Sequence, residues 1–279
     1  MEENLSNSGI SPYALLQFYA DIGIEDVVGD EALDRTKIPE TVLPMVSAAA
    51  VSAAGGAGAG VVDTPPAGAS MGAIEAQAEA KTAAAAAHTL EELRDALAGF
   101  KGLAIKRTAT QMVFASGNPA ARVMLIGDVP GADEDRLGKP FAGIEGQLLD
   151  KMLAAIGLNR EEHIYISNVI NWRPPGNRAP DAAEIAISLS FIERHIELVN
   201  PAVVIFMGGA AAQALLQSKQ SITRLRGRWQ PYKTAQMEQP IQAMCMLHPG
   251  YLLNSPQQKA LAWADLLQLK EKLVTLGIV

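Results

Sequence analysis

The chain has 279 residues, 49% of them hydrophobic and 19% charged: enough apolar material for one sizeable core, and too little charge for a disordered polyampholyte. A single cysteine, Cys245, excludes a disulfide framework and argues against a cysteine-based zinc site. The net charge of −7 is unevenly placed, since residues 1–88 hold 12 acidic and 3 basic side chains whereas residues 89–279 hold 18 and 20, which leaves room for a basic face in the larger part.

In chain order, MEENLSNSG lacks a basic stretch followed by an apolar run, so no signal peptide is expected. No apolar run reaches the roughly 18 residues of a membrane helix, and a soluble cytoplasmic protein with no membrane contact is expected. Ser11-Pro12 reads as a helix start, followed by Leu15, Leu16, Tyr19 and Ile22 at helical spacing. This short helix fits a protein partner or self-docking equally. Residues 1–40 form the acidic segment that contains it, and residues 41–88 read as an Ala/Gly-rich flexible linker. Within the linker, AIEAQAEAKTAAAAA has high helix propensity and little to bury, which predicts a transient helix. Thr89 and Glu92 form a capping box, so the folded domain is expected over 89–279.

From there, strands and helices alternate. Apolar runs predict strands at Arg122–Gly127, Ile164–Val169, Val203–Met207 and Ile241–Met246. Helical spacing predicts a helix through Leu148, Leu149, Met152, Leu153 and Ile156, a long one over Pro180–Val199, an Ala-rich one after Gly208-Gly209, and a last one from about Gln257 to Leu276. The expected fold is a three-layer α/β/α unit around a central four-stranded parallel sheet. In such sheets ligands bind at the carboxyl ends of the strands. Those ends carry Asp128 after the first strand, Asn168 and then Asn177 after the second, and His248 after the fourth. Each segment alone reads as turn chemistry, rich in Pro and Gly. Together they bring a carboxylate, two amides and an imidazole to one edge.

The stretches that carry these residues resemble a known family. GDVPGADEDRLGKPFAGIEGQLLDKML is similar to the first signature of the family 4 uracil-DNA glycosylases, GEAPG-x-x-E-D…G-x-PF-x-G-x-x-GQLLD. NVINWRPPGNRAP resembles that family's NVVKCRPPGNRTP, HPGYLL resembles its HP-A-x-LL, and ITRLRGRW resembles the segment before its last strand. The resemblance covers about residues 90–275 and implies a uracil-DNA glycosylase-like fold, uracil-containing DNA as partner, and a monomer that hydrolyses the N-glycosidic bond of uracil. It implies a catalytic acidic residue at Asp128, with Gly127 beside it. Phe141 would stack on the flipped base, Asn168 would read its edge, and Asn177 would support. His248 would lie near uracil O2, and Glu134 would crowd C5. Arg173, Arg178, Arg224, Arg226 and Arg228 are candidates for phosphate contact. Tyr251 and Leu252 are candidates for a wedge in the duplex, with core packing an equal alternative for Leu252.

The chemistry agrees with these roles. Breaking the bond leaves cationic character on the sugar and negative charge on uracil, so a carboxylate beneath the sugar and a donor at O2 both help. An Asn side chain can donate to O4 and accept from N3–H, and cytosine reverses both groups. The base must leave the stack to be reached. Three positions depart from the family. Asp128 stands where Glu is usual, although family 1 enzymes use an Asp at the corresponding strand end. Asn254 stands where Arg is frequent. The four cysteines that hold the family's [4Fe–4S] cluster align with Phe100, Leu103, Trp172 and Ser188, so no cluster and no metal are expected, and Phe100, Leu103 and Trp172 are expected to fill the space. A catalytically weak or inactive DNA-binding relative, and a glycosylase shifted toward hypoxanthine or xanthine, remain alternatives. WRPPGNRAP shows no insertion of the kind found in relatives that bond covalently to the abasic site.

Overall fold

A computed structural model describes residues 71–278. The helix expected at Ser11 and the linker up to residue 70 lie outside the described residues. The central strands are β2 (Val123–Gly127), β3 (Ile164–Asn168), β4 (Val203–Met207) and β6 (Ile241–Met246), all parallel. They are the four runs expected from the sequence. Two short antiparallel edges were not expected: β1 (Ser116–Gly117) beside β3 and β5 (Trp229–Tyr232) beside β6, giving the order β1-β3-β2-β4-β6-β5. The fold is thus α/β with a mixed six-stranded sheet whose parallel centre carries the site. Pro231 obscures β5 in the sequence, because proline is tolerated only where a strand has a free edge.

Alternate residues of each parallel strand enter opposite cores, as period-two geometry requires. Met124, Ile126, Tyr165, Val204, Phe206, Ala243 and Cys245 face one core. Val123, Leu125, Ile164, Ile166, Val203, Ile205, Met244 and Met246 face the other. The first is closed by α1 (Met71–Ala86), α2 (Leu90–Gly99), α5 (Ala182–Val199) and α6 (Gly209–Leu215). The second is closed by α4 (Ile144–Ala155), α8 (Pro249–Asn254) and α9 (Lys259–Thr275). Two further helices, α3 (Ala132–Leu137) and α7 (Ile222–Leu225), lie in connections.

The sequence left α1 as part of the linker, a transient helix with little to bury. Instead, Ala80, Ala84 and Ala87 are fully buried, in the core that α5 also faces. Small side chains allow close approach, so an alanine helix can bury a face that carries no amphipathic signature. At the start of α2, Thr89 accepts from Glu92 N–H at 3.1 Å, while Glu92 accepts from the N–H of His88 rather than that of the cap residue.

After β2 the chain moves to β3 on one side, and after β4 it moves to β6 on the other. The crevice of such a sheet opens where the connections diverge, between the carboxyl ends of β2 and β4. Asp128 and Gly208 stand at those two ends.

Candidate active site

The site is assembled around the end of β2. Gly127 pairs in register with Asn168 of β3. Residue 127 must be glycine, because a Cβ there would collide with Oδ1 of Asn168 and stand 2.8 Å from the Phe141 ring. Asn168 is 1% exposed, and its Nδ2 has no hydrogen-bond partner. A buried, unsatisfied amide costs on the order of 1–3 kcal/mol, and this one leaves a donor available to an acceptor. The Phe141 ring meets the same space beside Gly127 as Asn168 Oδ1, and its centroid is 5.2 Å from that of His248, tilted by 33°.

Phe141 holds a left-handed backbone conformation at φ 50, which a bulky residue rarely adopts. Its peptide groups are fixed from both sides. Glu134 accepts from the Phe141 N–H and, at 2.5 Å, from the Gly131 N–H. Arg160 donates to the Phe141 carbonyl at 2.8 Å and the Pro140 carbonyl at 3.2 Å, with Asp150 at 2.5 Å behind it. Burial raises the pKa of Glu134, and the two backbone donors oppose that rise. The sequence assigned Glu134 to the C5 edge of the base; its hydrogen bonds make it a brace for Phe141. Arg160 was missed altogether, because a lone arginine in a loop gives no signal of where its side chain reaches.

Asp128 Oδ1 accepts from the Ala211 N–H at 2.5 Å, and the Ala210 N–H also contributes, so the carboxylate caps the first turn of α6. Gly208, at φ 116, leaves the space that this carboxylate occupies. Burial pushes the Asp128 pKa up to about 6 against the opposing pull of these amides. His248 caps α8 through Nδ1, which accepts from the Gly250 N–H at 3.1 Å. With Nδ1 an acceptor, the proton of the neutral ring belongs on Nε2. Burial pushes this imidazole down to about 4, so it is neutral at physiological pH. Glu145, which the sequence did not single out, approaches the same ring at 3.7 Å.

Other candidates lie apart. Asn177 is exposed on a turn, where its Oδ1 accepts from Arg173 Nε at 2.7 Å. Arg178 is paired with Glu184 at 2.5 and 2.8 Å, and Arg226 with the fully buried Asp265 at 2.6 and 2.9 Å. Arg226 is thereby tied into the fold, whereas Arg178 is paired at the surface. Arg224 and Arg228 are exposed, and Arg173 is half-buried. Leu252 is 1% exposed in the second core, which decides between its two readings in favour of packing, whereas Tyr251 is 44% exposed.

The positions aligned with cluster cysteines are buried in the first core: Phe100, Leu103 and Trp172 by their apolar groups, Ser188 with an unpartnered hydroxyl. Phe100 packs edge-on against Phe191 at 5.3 Å, and Lys106 lies 5.6 Å above the Trp172 ring. Two aromatic rings, an isobutyl group and a hydroxyl do not fit a cluster that needs four thiolates. Among the described residues no group of His, Cys, Asp and Glu is arranged to hold a metal ion, and no helix is long and apolar enough to cross a membrane.

The family described as the uracil DNA glycosylase superfamily matches residues 114–267. The chain is 35% identical to a type-4 uracil-DNA glycosylase of Archaeoglobus fulgidus, over 55% of this chain and 77% of that protein. It is 29% identical to one of Sulfurisphaera tokodaii, over 67% and 86% respectively, and 36% identical to one of Thermotoga maritima, over 52% and 73%. The chain belongs to the uracil DNA glycosylase superfamily.

Proposed function

We propose that the chain is a monofunctional uracil-DNA glycosylase, which takes a uracil nucleotide out of DNA and hydrolyses its N-glycosidic bond, leaving free uracil and an abasic site. The observation that carries this reading is the buried amide of Asn168, held against Gly127 and Phe141 with Nδ2 unpartnered. In this pose Oδ1 accepts from uracil N3–H and Nδ2 donates to O4. Cytosine would face each group with its like and leave buried polar atoms unpaired, a mismatch that can discriminate by about 10⁴. Phe141, fixed by Glu134 and Arg160, supplies the stacking face.

When the C1′–N1 bond breaks, its electron pair leaves with uracil and negative charge gathers at O2, where His248 Nε2–H donates. The sugar becomes an oxocarbenium ion, which the Asp128 carboxylate stabilises. Water then adds to C1′ and gives up a proton, for which Asp128 is the nearby acceptor. The chain does this without an iron–sulfur cluster, and iron quantitation of purified protein tests that part. Tyr251 is the exposed side chain suited to fill the gap left in the duplex, and Arg173, Arg224 and Arg228 are suited to phosphates.

The decisive experiment incubates the protein with end-labelled oligonucleotides bearing one uracil, hypoxanthine or xanthine, followed by alkaline cleavage. A break at uracil is expected. A break at hypoxanthine and not at uracil would overturn the role of Asn168. Binding without base release would favour a weak or inactive relative, a reading with one observation behind it: Asp128 Oδ1 already holds the Ala211 N–H.

A further inference from the structure

Glu145 has no place in the reaction outlined above, yet the fold carries it to His248. It lies in the first turn of α4, and its Oε2 is 3.7 Å from Nδ1 of His248. Its carboxylate rests on the backbone of the His248-Pro249-Gly250 turn. A Cβ at residue 250 would stand 2.5 Å from Oε1, 2.7 Å from Cδ and 3.1 Å from Oε2 of Glu145. An alanine at 250 therefore cannot coexist with the carboxylate in this position. Glycine is used here for space and not for an unusual backbone angle. A carboxylate at 145 and a missing side chain at 250 form a matched pair.

The other charged groups nearby are engaged elsewhere. Glu134, on α3, is bound to the N–H groups of Gly131 and Phe141, and Arg160 faces it from the loop after α4. Asp128, at the end of β2, is bound to α6. On α8 itself the neighbouring titratable group is the exposed Tyr251. Among the described residues, Glu145 is the one carboxylate within ion-pair distance of the His248 ring.

We propose that Glu145 is a positioning residue that raises the proton affinity of the His248 imidazole, and that Gly250 provides the space that admits it. The neutral ring keeps its proton on Nε2 because Nδ1 accepts from the Gly250 N–H. A proton taken from solvent adds at Nδ1, replaces the hydrogen bond from the Gly250 N–H and faces Glu145 Oε2, so the cationic ring also presents Nε2–H to the base. The carboxylate likewise stabilises the positive charge that builds on the ring as Nε2–H bonds to the departing uracil. The proposal rests on the reading of His248 as the O2 donor, but the coupling itself is measurable without catalysis.

The test is an NMR titration of 15N-labelled histidine in the full chain, comparing wild type, Glu145→Gln and Gly250→Ala. Glu145→Gln keeps the shape and removes the charge. Burial raises the Glu145 pKa as well, so the carboxylate is only partly ionised where His248 titrates, and the His248 midpoint is expected to fall measurably but by less than the roughly one unit or more that a fully ionised partner would give. Gly250→Ala should lower it similarly by displacing the carboxylate. An unchanged midpoint in folded Glu145→Gln overturns the proposal, and an unchanged midpoint in folded Gly250→Ala overturns the role of Gly250. Base release assayed on the same wild-type sample keeps the two readings separate: an inactive protein with a shifted midpoint would refute the glycosylase reading and leave the coupling standing.

Discussion

Asp128 sits where function and stability pull in opposite directions. In the proposed reaction its carboxylate acts as an anion beneath the sugar, and burial resists that charge, raising its pKa from 3.8 to about 6. Base release under single-turnover conditions should therefore rise through pH 6 and level off above it, and Asp128→Ala should lower the plateau by roughly 10²–10⁴. The stability effect has the opposite sign. Between its unfolded and folded pKa values the native state holds a proton that the unfolded chain has lost, so the group favours the fold below about pH 4 and ceases to do so as pH rises through 6. Above that, the buried anion costs up to about 3 kcal/mol, at 1.36 kcal/mol per unit. Asp128→Asn keeps an acceptor for the Ala211 N–H and removes the charge. It should be inactive yet more stable than wild type by about 1–3 kcal/mol in urea denaturation at pH 7.5. A loss of stability would mean that the carboxylate does more for α6 than its burial costs. His248→Ala removes the donor at O2 together with the α8 cap, and should slow base release by about 10²–10³ while costing about 0.5–2 kcal/mol of stability.

At the scale of elements, the four parallel strands were legible because strands buried on both faces are written as continuous apolar runs. The edges were not legible: β1 is only Ser116-Gly117, and β5 contains Pro231. Helix α1 was illegible for a different reason, since its contacts are made by alanines, whose burial depends on how near α5 comes and not on any pattern of hydropathy. The same distinction separates the site residues. Asp128, Asn168 and His248 were singled out because strand ends fix where they stand, and Phe141 because the stretch around it resembles a family signature. The places of Arg160, Glu145 and Asp265 depend on how far a long or buried side chain reaches across the fold, which spacing along the chain does not encode. Asp265 on α9 offers a test of that kind. It is wholly buried, paired with Arg226 before β5, and burial still raises its pKa to about 6. Arg226→Met would leave this carboxylate unpaired and should cost about 3–5 kcal/mol. With the cation gone the folded-state pKa climbs further, so the loss should be largest at pH 8 and shrink as the pH is lowered toward 5, where Asp265 enters the fold protonated. A cost independent of pH would assign the effect to lost packing of the Arg226 stem.

For the whole molecule, the fold sorts the arginines proposed for phosphate contact into free and paired ones. Gly227 N–H donates to the Cys245 carbonyl and Trp229 pairs with Met244, so Arg228 is carried to the carboxyl end of β6. Arg224 is exposed on α7 just upstream, and Arg178 is also exposed in part, but its guanidinium is held by Glu184. A free guanidinium that neutralises a phosphate releases a condensed counterion, and each such contact adds about one to the slope of log K against log salt. A guanidinium already neutralised by a carboxylate has little to release. Binding of a uracil-containing duplex to the Asp128→Asn protein, measured by fluorescence anisotropy between low and moderate salt, separates the two kinds. Arg224→Ala and Arg228→Ala should each weaken binding at low salt and lower the slope by about one, whatever the sequence around the uracil. Arg178→Ala should leave the slope near its wild-type value, because what it loses is a contact inside the fold. If Arg178 changes the slope as much as Arg228, its pairing with Glu184 must open when DNA arrives, and the DNA-facing surface would then extend along the exposed turn that carries Asn177.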